Sequence, residues 1–338
     1  MSFENIKLEK GMYGVAGKTF SEVLESIDPS DNYKETALDG LDAFGRQLKR
    51  FGIRVNGKSS DVVEKFFATT DSAALFPEYV SRTVNQGITE AGILDNILAS
   101  KTVIDSLDYR SIRTMLLDPD ELLSEVAQGE EIPTVTIEPA THLIQLKKHG
   151  LMLETSYEAI RFQKLDVLAV TLKQIGQNIA RTQLDDAINT IIFGDGNGNA
   201  SNPNGNSLSY AELIENLMAM FSTFAFDPNT VIASPNALAS LLMNPDVRSL
   251  IGVGAEASVN KEGIPTKLFG ANLFKTSILP SGVIVLDKSC ALEMVTAGDV
   301  SLETDRLIDR QLSRTAITTT YGFAKLFDDA SVVCEISE

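Results

Sequence analysis

The sequence predicts an α+β fold built as two units, and three observations predict it. Residues 157–193 lack proline and repeat apolar side chains at steps of three and four, the period of a long helix. Extended, β-branched runs flank the acidic stretch Glu121–Glu131 and read as a projecting hairpin. The final residues alternate in strand fashion, from Ala316 to Leu326 and again from Ser331 to Ile336. With 338 residues and roughly 150 residues per domain, two units is the expected number.

Each element has a local cause. Residues 1–66 hold eleven acids and ten bases, so −16 of the net −17 falls on residues 67–338. Phe20, Val23, Leu24 and Ile27, then Leu38, Leu41, Phe44 and Leu48, give this first stretch two helical patterns. It reads either as an N-terminal arm or scaffolding-like segment, or as a solvated helical pair packed on the main body. From Phe76 to Leu107 the pattern is helical, through Val80, Val84 and Ile88, then Ile93, Leu94, Ile97 and Leu98. Tyr109–Leu117 reads as a strand that stops at the turn signal Asp118-Pro119. Ile132–Ile137 is extended, and His142–Glu154 reads as a strand with Gly150 as a bulge. A two-stranded ribbon is marginal in water on its own, so this hairpin needs a surface to lie on.

Thr155 and Glu158 have capping-box spacing ahead of a helix starting at Tyr157. Leu165, Leu168, Leu172, Ile175 and Ile179 lay an apolar stripe along it, continued by Ala187, Ile188, Ile191 and Ile192 to a glycine stop at Gly194. At ~1.5 Å per residue the helix is roughly 55 Å long, with Gly176 its one weak helix former and a break allowed near Leu165-Asp166. It exceeds the diameter of a compact domain and reads as a spine joining regions. The glycine- and asparagine-rich residues 194–209 mark the boundary to a second unit. There Tyr210–Phe224 is a helix, Thr230–Ala233 a strand, Pro235–Met243 a helix with proline in its first turn, and Val283–Leu286 a buried strand.

Composition narrows the function. Hydrophobic residues make up 43% of the chain, enough to fill real cores. The longest apolar runs fall short of the ~18–20 residues a spanning helix needs, and Met1–Lys10 has no apolar h-region of a secretory signal. Two cysteines, Cys290 and Cys334, cannot make a disulfide framework or a four-cysteine metal site and read as small buried hydrophobes. Tight binding of nucleic acid by the body is unexpected, because phosphate contacts need clustered Lys and Arg. The expectation is a cytosolic, acidic, non-enzymatic protein.

Three short patterns imitate chemical sites and fail on spacing. Gly17-Lys18-Thr19 looks like the end of a phosphate loop, with Val283–Asp287 as the magnesium-holding strand. The loop's required first glycine is Met12, with Gly11 one residue out of register. Asp195, Asn197 and Asn199 imitate the first ligands of a calcium loop, but its glycine and bidentate glutamate positions are Ala200 and Asn206. His142 and His149 are seven apart, which on a strand places them on opposite faces. No catalytic, cofactor-binding or metal-binding residue is expected, and no cofactor.

In order, the parts resemble the major capsid protein of tailed double-stranded-DNA bacteriophages, with the Hong Kong 97-type shell fold that encapsulin nanocompartments share. The residues carrying the resemblance are Phe76–Val80 with Ile88–Leu98, the loop tip Gly129–Pro133, and Glu154–Ile160 leading through the spine to Gly194-Asp195-Gly196. Asn229–Leu238, Gly270–Ser277, Leu279–Gly282, Val283–Asp287 and Arg314–Tyr321 complete it, so that it covers about residues 70–338. The resemblance implies a peripheral domain of residues 67–206 plus 306–338, holding an extended loop at about 112–153 and the spine helix. It implies an axial domain of residues 207–305. It further implies a structural subunit that self-assembles into pentamers and hexamers of an icosahedral capsid. Such a shell encloses double-stranded DNA without sequence-specific binding and without a membrane. Scaffolding and portal proteins are further partners, and the virion capsid is assembled in the bacterial host cytoplasm. Some relatives cross-link through a Lys–Asn isopeptide, and Lys147 and Lys148 sit in the hairpin, but no partner residue is identifiable and that activity is not carried over. An encapsulin-like shell is the alternative, and a nucleotide-binding enzyme the distant one.

Overall fold

The computed structural model describes residues 3–15, 18–114, 128–129, 137–201, 210–224, 226–245, 267–268, 270–279, 281–298 and 300–334. Its helices are α1 (Phe20–Ile27), α2 (Ala43–Arg50), α3 (Thr70–Ala73), α4 (Phe76–Glu90), α5 (Tyr157–Phe162), α6 (Leu165–Phe193), α7 (Tyr210–Phe224) and α8 (Pro235–Met243). The strands of the first half are β1 (Ser100–Val103), β2 (Asp108–Tyr109), β3 (Ile112–Thr114), β4 (Ile137–Pro139), β5 (Ile144–Gln145) and β6 (Lys147–Ser156). Those of the second half are β7 (Thr230–Ala233), β8 (Lys267–Leu268), β9 (Ala271–Lys275), β10 (Val283–Leu286), β11 (Leu292–Thr296), β12 (Ser301–Leu307), β13 (Leu312–Lys325) and β14 (Ser331–Cys334). The chain divides into two compact units, one of residues 1–91, 149–179 and 300–319, the other of residues 92–148, 180–299 and 320–338. Three of these boundaries fall inside β6, α6 and β13, a different division from the one read off the sequence.

In the first unit the N-terminal residues are not set apart. Thr19 caps α1 through a capping box with Glu22, and the Asp42 carboxylate caps α2. Ile6, Leu8, Phe20, Leu24, Phe44, Leu48 and Phe66 share one core with Phe76, Tyr79, Val80 and Val84 of α4 and with Leu165, Leu172 and Ile175 of α6. Arg46 is fully buried among them. Its Nε donates to Asp28 Oδ2 at 2.7 Å, its Nη1 donates to the Leu41 carbonyl at 2.6 Å, and its guanidinium lies 4.3 Å from the Tyr33 ring centroid. A buried charge is tolerable only when it is paired and hydrogen-bonded in this way.

The helix expected over 157–193 is two helices, with residues 163–164 between them. The cause lies far away in sequence. The Gln163 carbonyl accepts from the Val63 amide at 2.9 Å, the Leu165 amide donates to the Asp61 carbonyl at 2.9 Å, and Val62 and Lys164 form an antiparallel bridge. Strand-like pairing with residues 61–63 thus replaces the helical hydrogen bonds at the joint. The helical reading of 76–107 also stops early. α4 ends at Glu90, and Ser100–Val103 is a strand parallel to β11, because Ile97 and Leu98 are buried in the other unit's core.

Gly176 explains itself in the crossing of α6 with α4. A Cβ on it would fall inside 3.0 Å of the Val84 carbonyl oxygen, and one on Gly87 would do the same at the Lys173 carbonyl. The two helices therefore touch backbone to backbone, which only glycine permits.

The second unit contains a five-stranded sheet, ordered β14-β10-β7-β9-β8, with β7 and β9 parallel and the other pairs antiparallel. β7 and β10 are buried along their whole length, as their continuous apolar runs require. Leu184, Ala187, Ile188 and Ile191 of α6, Leu213, Leu217 and Met220 of α7, and Leu238 and Leu241 of α8 cover that sheet's core. α6 stops as expected at Gly194, whose φ is +80° and whose amide closes on the Thr190 carbonyl at 2.9 Å.

Gly176→Ala tests the crossing. Alanine favours a helix by ~1 kcal/mol, but overpacking against backbone costs typically ~1–3 kcal/mol. The variant should unfold at lower urea than wild type, and an unchanged or higher midpoint would disprove the backbone contact.

Candidate assembly elements

Three parts of the chain carry extended or uncovered surface. The first is the hairpin. β2 pairs with β5 through Asp108 opposite Gln145, and β3 pairs with β4 through Ile112 opposite Pro139, so the described part is an antiparallel ladder. Its expected tip, Glu121–Glu131 with the run into Ile132–Ile137, lies mostly outside the described residues. The ladder is anchored at its base by Glu293 of β11, a buried carboxylate that accepts from the Thr102 hydroxyl and, at 3.1 Å, from the Tyr109 hydroxyl. Burial, and then the Glu293 charge, push the Tyr109 phenol up from its ordinary pKa.

β6 continues the hairpin and pairs with β13. β6 runs from Lys147 to Ser156 with Gly150 inside it. Gly150 lets the strand approach closely, since a Cβ there would come within 3.0 Å of the Thr318 side chain. Leu151 and Met152 of β6 are exposed. β12 and β13 form a hairpin in register from Ser301 opposite Thr318 to Leu307 opposite Leu312. Ile308, in the turn between them, is 82% exposed. Val167 and Val170 of α6 and Met218 and Phe221 of α7 are further exposed apolar pairs, each one helical turn apart.

The third part is the loop that leaves α6, where the calcium-like pattern sits. The Asn199 carbonyl and the Ser201 hydroxyl accept from the Lys325 ammonium at 3.0 and 2.7 Å. Asp195 takes the Lys325 backbone amide on Oδ2 at 3.0 Å and the Asn197 amide on Oδ1 at 3.1 Å. Asn199 Oδ1 accepts from the Asp195 amide, and Asn197 Oδ1 from the His142 amide. The side-chain oxygens of the Asp-Asn-Asn pattern are thus occupied by backbone amides, while the buried lysine of β13 is held by the loop's Asn199 carbonyl and Ser201 hydroxyl. Lys325 was invisible to motif reasoning, although a lone lysine among the apolar residues of the last long strand was a signal. Burial lowers its pKa to about 8, against the raising effect of Asp328, Asp329 and Asp195.

The remaining patterns are also accounted for by local structure. Thr19 caps α1 and Lys18 is exposed. Asp287 is occupied by four donors: the Asp227 and Ser289 amides, the Asn229 side chain and the Ser289 hydroxyl. His142 lies in a bend and His149 in β6. Cys334 is buried, its thiol pushed up by burial, and accepts from Asn216 at 3.2 Å, while Cys290 is half-buried. Among the described residues no helix is long and apolar enough to cross a membrane. No group of metal-ligating side chains gathers among them either.

The described chain thus has a long helix shared by two cores, a strand hairpin anchored at its base and a second sheeted unit. A family model described as phage capsid protein matches residues 137–333, more than half of the chain. The chain belongs to that family, is a capsid subunit, and self-associates into the virion shell. No curated protein matches it. Among solved structures it is similar to the capsid of a native GTA particle, with a TM-score of 0.54 at 13% identity, covering 76% of this chain and 91% of that one. It is also similar to the capsid of the cyanophage P-SCSP1u, with a TM-score of 0.52 at 14% identity over 72% and 88% of the two chains. The holo-SrpI encapsulin complex of Synechococcus elongatus matches with a TM-score of 0.50 at 16% identity over 72% and 86%. At such identities the likeness establishes the fold, the Hong Kong 97-type shell fold that the sequence resemblance implied.

The Lys325 contact makes a pH-dependent prediction. Its pKa is about 8 in the folded chain against 10.5 for an ordinary lysine. Between those values the unfolded chain binds the extra proton, so stability from this group rises with pH. The neutral amine still has hydrogens for Asn199 and Ser201. Above pH ~10 the buried Tyr79 and Tyr321 phenols, raised by burial, work the other way, because ionising them favours the unfolded chain. In urea unfolding of the unassembled chain, wild type should gain on the order of 2 kcal/mol relative to Lys325→Met between pH 8 and 10. A constant difference would show that Lys325 is not buried as a cation.

Proposed function

We propose that the chain is the major subunit of an icosahedral phage or prophage capsid, assembling as pentamers and hexamers around double-stranded DNA in the bacterial host cytoplasm. Scaffolding and portal proteins are its further partners, and its role is structural rather than enzymatic. Residues 207–305, built around β7 and β10, form the axial domain of that subunit, and α6 with the β12–β13 hairpin belongs to the peripheral domain. The family match over residues 137–333 carries this reading. The charge supports it: a net −17 lets packaged DNA move against the shell without adhering, since phosphate binding needs clustered cations. The likeness to an encapsulin complex favours a second reading, a nanocompartment that holds protein cargo.

Subunits of net −17 repel, so association draws on apolar burial and strand pairing and strengthens as salt screens the charge. The Debye length falls from ~30 Å at 0.01 M to ~8 Å at 0.15 M. Negative-stain microscopy and sedimentation of the expressed chain should show closed particles whose fraction grows over that range. Monomers at every salt and protein concentration would refute a shell. Nuclease-protected DNA in particles from induced host cells separates the phage reading from the encapsulin one, for which the contents are protein.

A further inference from the structure

The chain holds three Asn-Gly pairs, Asn56-Gly57, Asn197-Gly198 and Asn204-Gly205. The last lies outside the described residues, and the other two stand in opposite environments. Asn197 is held in place. Its Nδ2 donates to Asp195 Oδ1 at 2.9 Å, its Oδ1 accepts from the His142 amide at 2.8 Å, and its own backbone amide donates to Asp195 Oδ1 at 3.1 Å. Asn56 is exposed, and among the described residues no hydrogen bond holds its side chain or the Gly57 amide. Gly57 and Gly198 are alike, with φ of +83° and +76° and open space where a Cβ would stand. The difference therefore lies with the asparagines.

The loop carrying Asn56 is closed at its base and open at its tip. The Arg54 amide donates to Asp61 Oδ2 at 2.7 Å, and the Asp61 amide donates back to the Arg54 carbonyl at 2.9 Å. Lys65 pairs with the same Asp61 carboxylate at 2.9 Å, and the Leu165 amide holds the Asp61 carbonyl. Residues 56–59 are all exposed, joined to the base by the Ser60 amide on the Gly57 carbonyl at 2.9 Å. A tip with few buried contacts and solvent-facing backbone opens easily. Glycine adds backbone freedom and leaves its own amide nitrogen uncrowded.

We propose that Asn56 is a site of spontaneous deamidation, at which a neutral amide becomes a carboxylate, and that Asn197 is protected from it. The Gly57 amide nitrogen attacks the side-chain carbonyl carbon of Asn56. A carbon–nitrogen bond forms there, the bond to the side-chain nitrogen breaks, and that nitrogen leaves as ammonia with the proton given up by the Gly57 amide. The product is a cyclic imide. Water opens it at either carbonyl, leaving a carboxylate and releasing a proton. One opening gives aspartate; the other gives isoaspartate, in which the main chain runs through the former side chain. Solvent water is the one co-reactant. At Asn197 the same step would first break the hydrogen bonds to Asp195 and His142. The new charge at residue 56 lies between Arg54 and Lys58 in sequence and adds one acid to a chain of net −17. Because the loop is clamped through Arg54 and Asp61, the fold below it is undisturbed. The modified fraction rises with time alone and so records the age of the chain.

The test follows the full chain over time in mildly alkaline buffer, folded and in urea. Peptide mass spectrometry reads the change from amide to acid, and fragmentation localises it, keeping Asn204 apart from Asn197. Methyl transfer by an isoaspartyl methyltransferase reads the isoaspartate. In the folded chain Asn56 should convert at least about tenfold faster than Asn197, since each hydrogen bond that must break slows the step. In urea the two rates should converge. Asn56→Gln should remove the isoaspartate signal from its peptide and keep the wild-type melting temperature. Equal rates at the two sites in the folded chain, or the same ratio in urea as in buffer, would overturn the proposal.

Discussion

The fold depends on α6, a helix whose apolar stripe is longer than one core can cover. Leu165, Leu172 and Ile175 are buried with α4 and the N-terminal residues, whereas Leu184, Ala187, Ile188 and Ile191 are buried with the second unit's sheet. Helices in proteins draw most of their stability from tertiary packing of one face and are marginal in isolation. Half of α6 without its core would therefore fray, and each unit needs the helix as much as the helix needs it. β13 is shared in the same way, pairing with β12 over its first residues and with β11 over its last. Three continuous elements, β6, α6 and β13, run across boundaries between the units.

That arrangement places demands on small residues. α4 reaches α6 only because Gly87 and Gly176 let backbone meet backbone, and β6 reaches β13 only because Gly150 leaves room for Thr318. Glycine inside a helix or strand costs roughly 0.5–1 kcal/mol, so three such positions in regular elements mark places where proximity outweighs local preference. Lys325 is the polar counterpart. One buried ammonium organises the loop leaving α6, with hydrogen bonds to Asn199 and Ser201 and its own amide bound by Asp195.

What the sequence revealed follows from the range of the interactions involved. The course of α6, its glycine stop, the proline-led α8 and the buried β7 and β10 are set by neighbours a few residues apart, and periodicity shows them. The joint at 163–164 is set by residues 61–63, about a hundred positions away, and no local pattern contains it. The same holds for Ser100–Val103, which reads as helix until β11 supplies a parallel partner. Thr155 and Glu158 have the spacing of a cap, yet Thr155 lies in β6, which continues to Ser156 before α5 begins. The calcium-like pattern fails on ligand spacing, and the contacts around its residues needed Lys325, 126 residues from Asn199.

An acidic subunit that must associate cannot rely on one broad complementary interface without also sticking to itself before assembly. Distributing attraction over several small neutral or apolar areas resolves this conflict. Leu151 and Met152 on β6, Ile308 in the β12–β13 turn, Val167 and Val170 on α6, and Met218 and Phe221 on α7 are each too small to hold two chains together alone. When many neighbours close around one another, the weak contacts act together, because once one forms the next forms at high local concentration. In the proposed shell the net charge would act as a threshold, keeping single chains apart until enough contacts form at once.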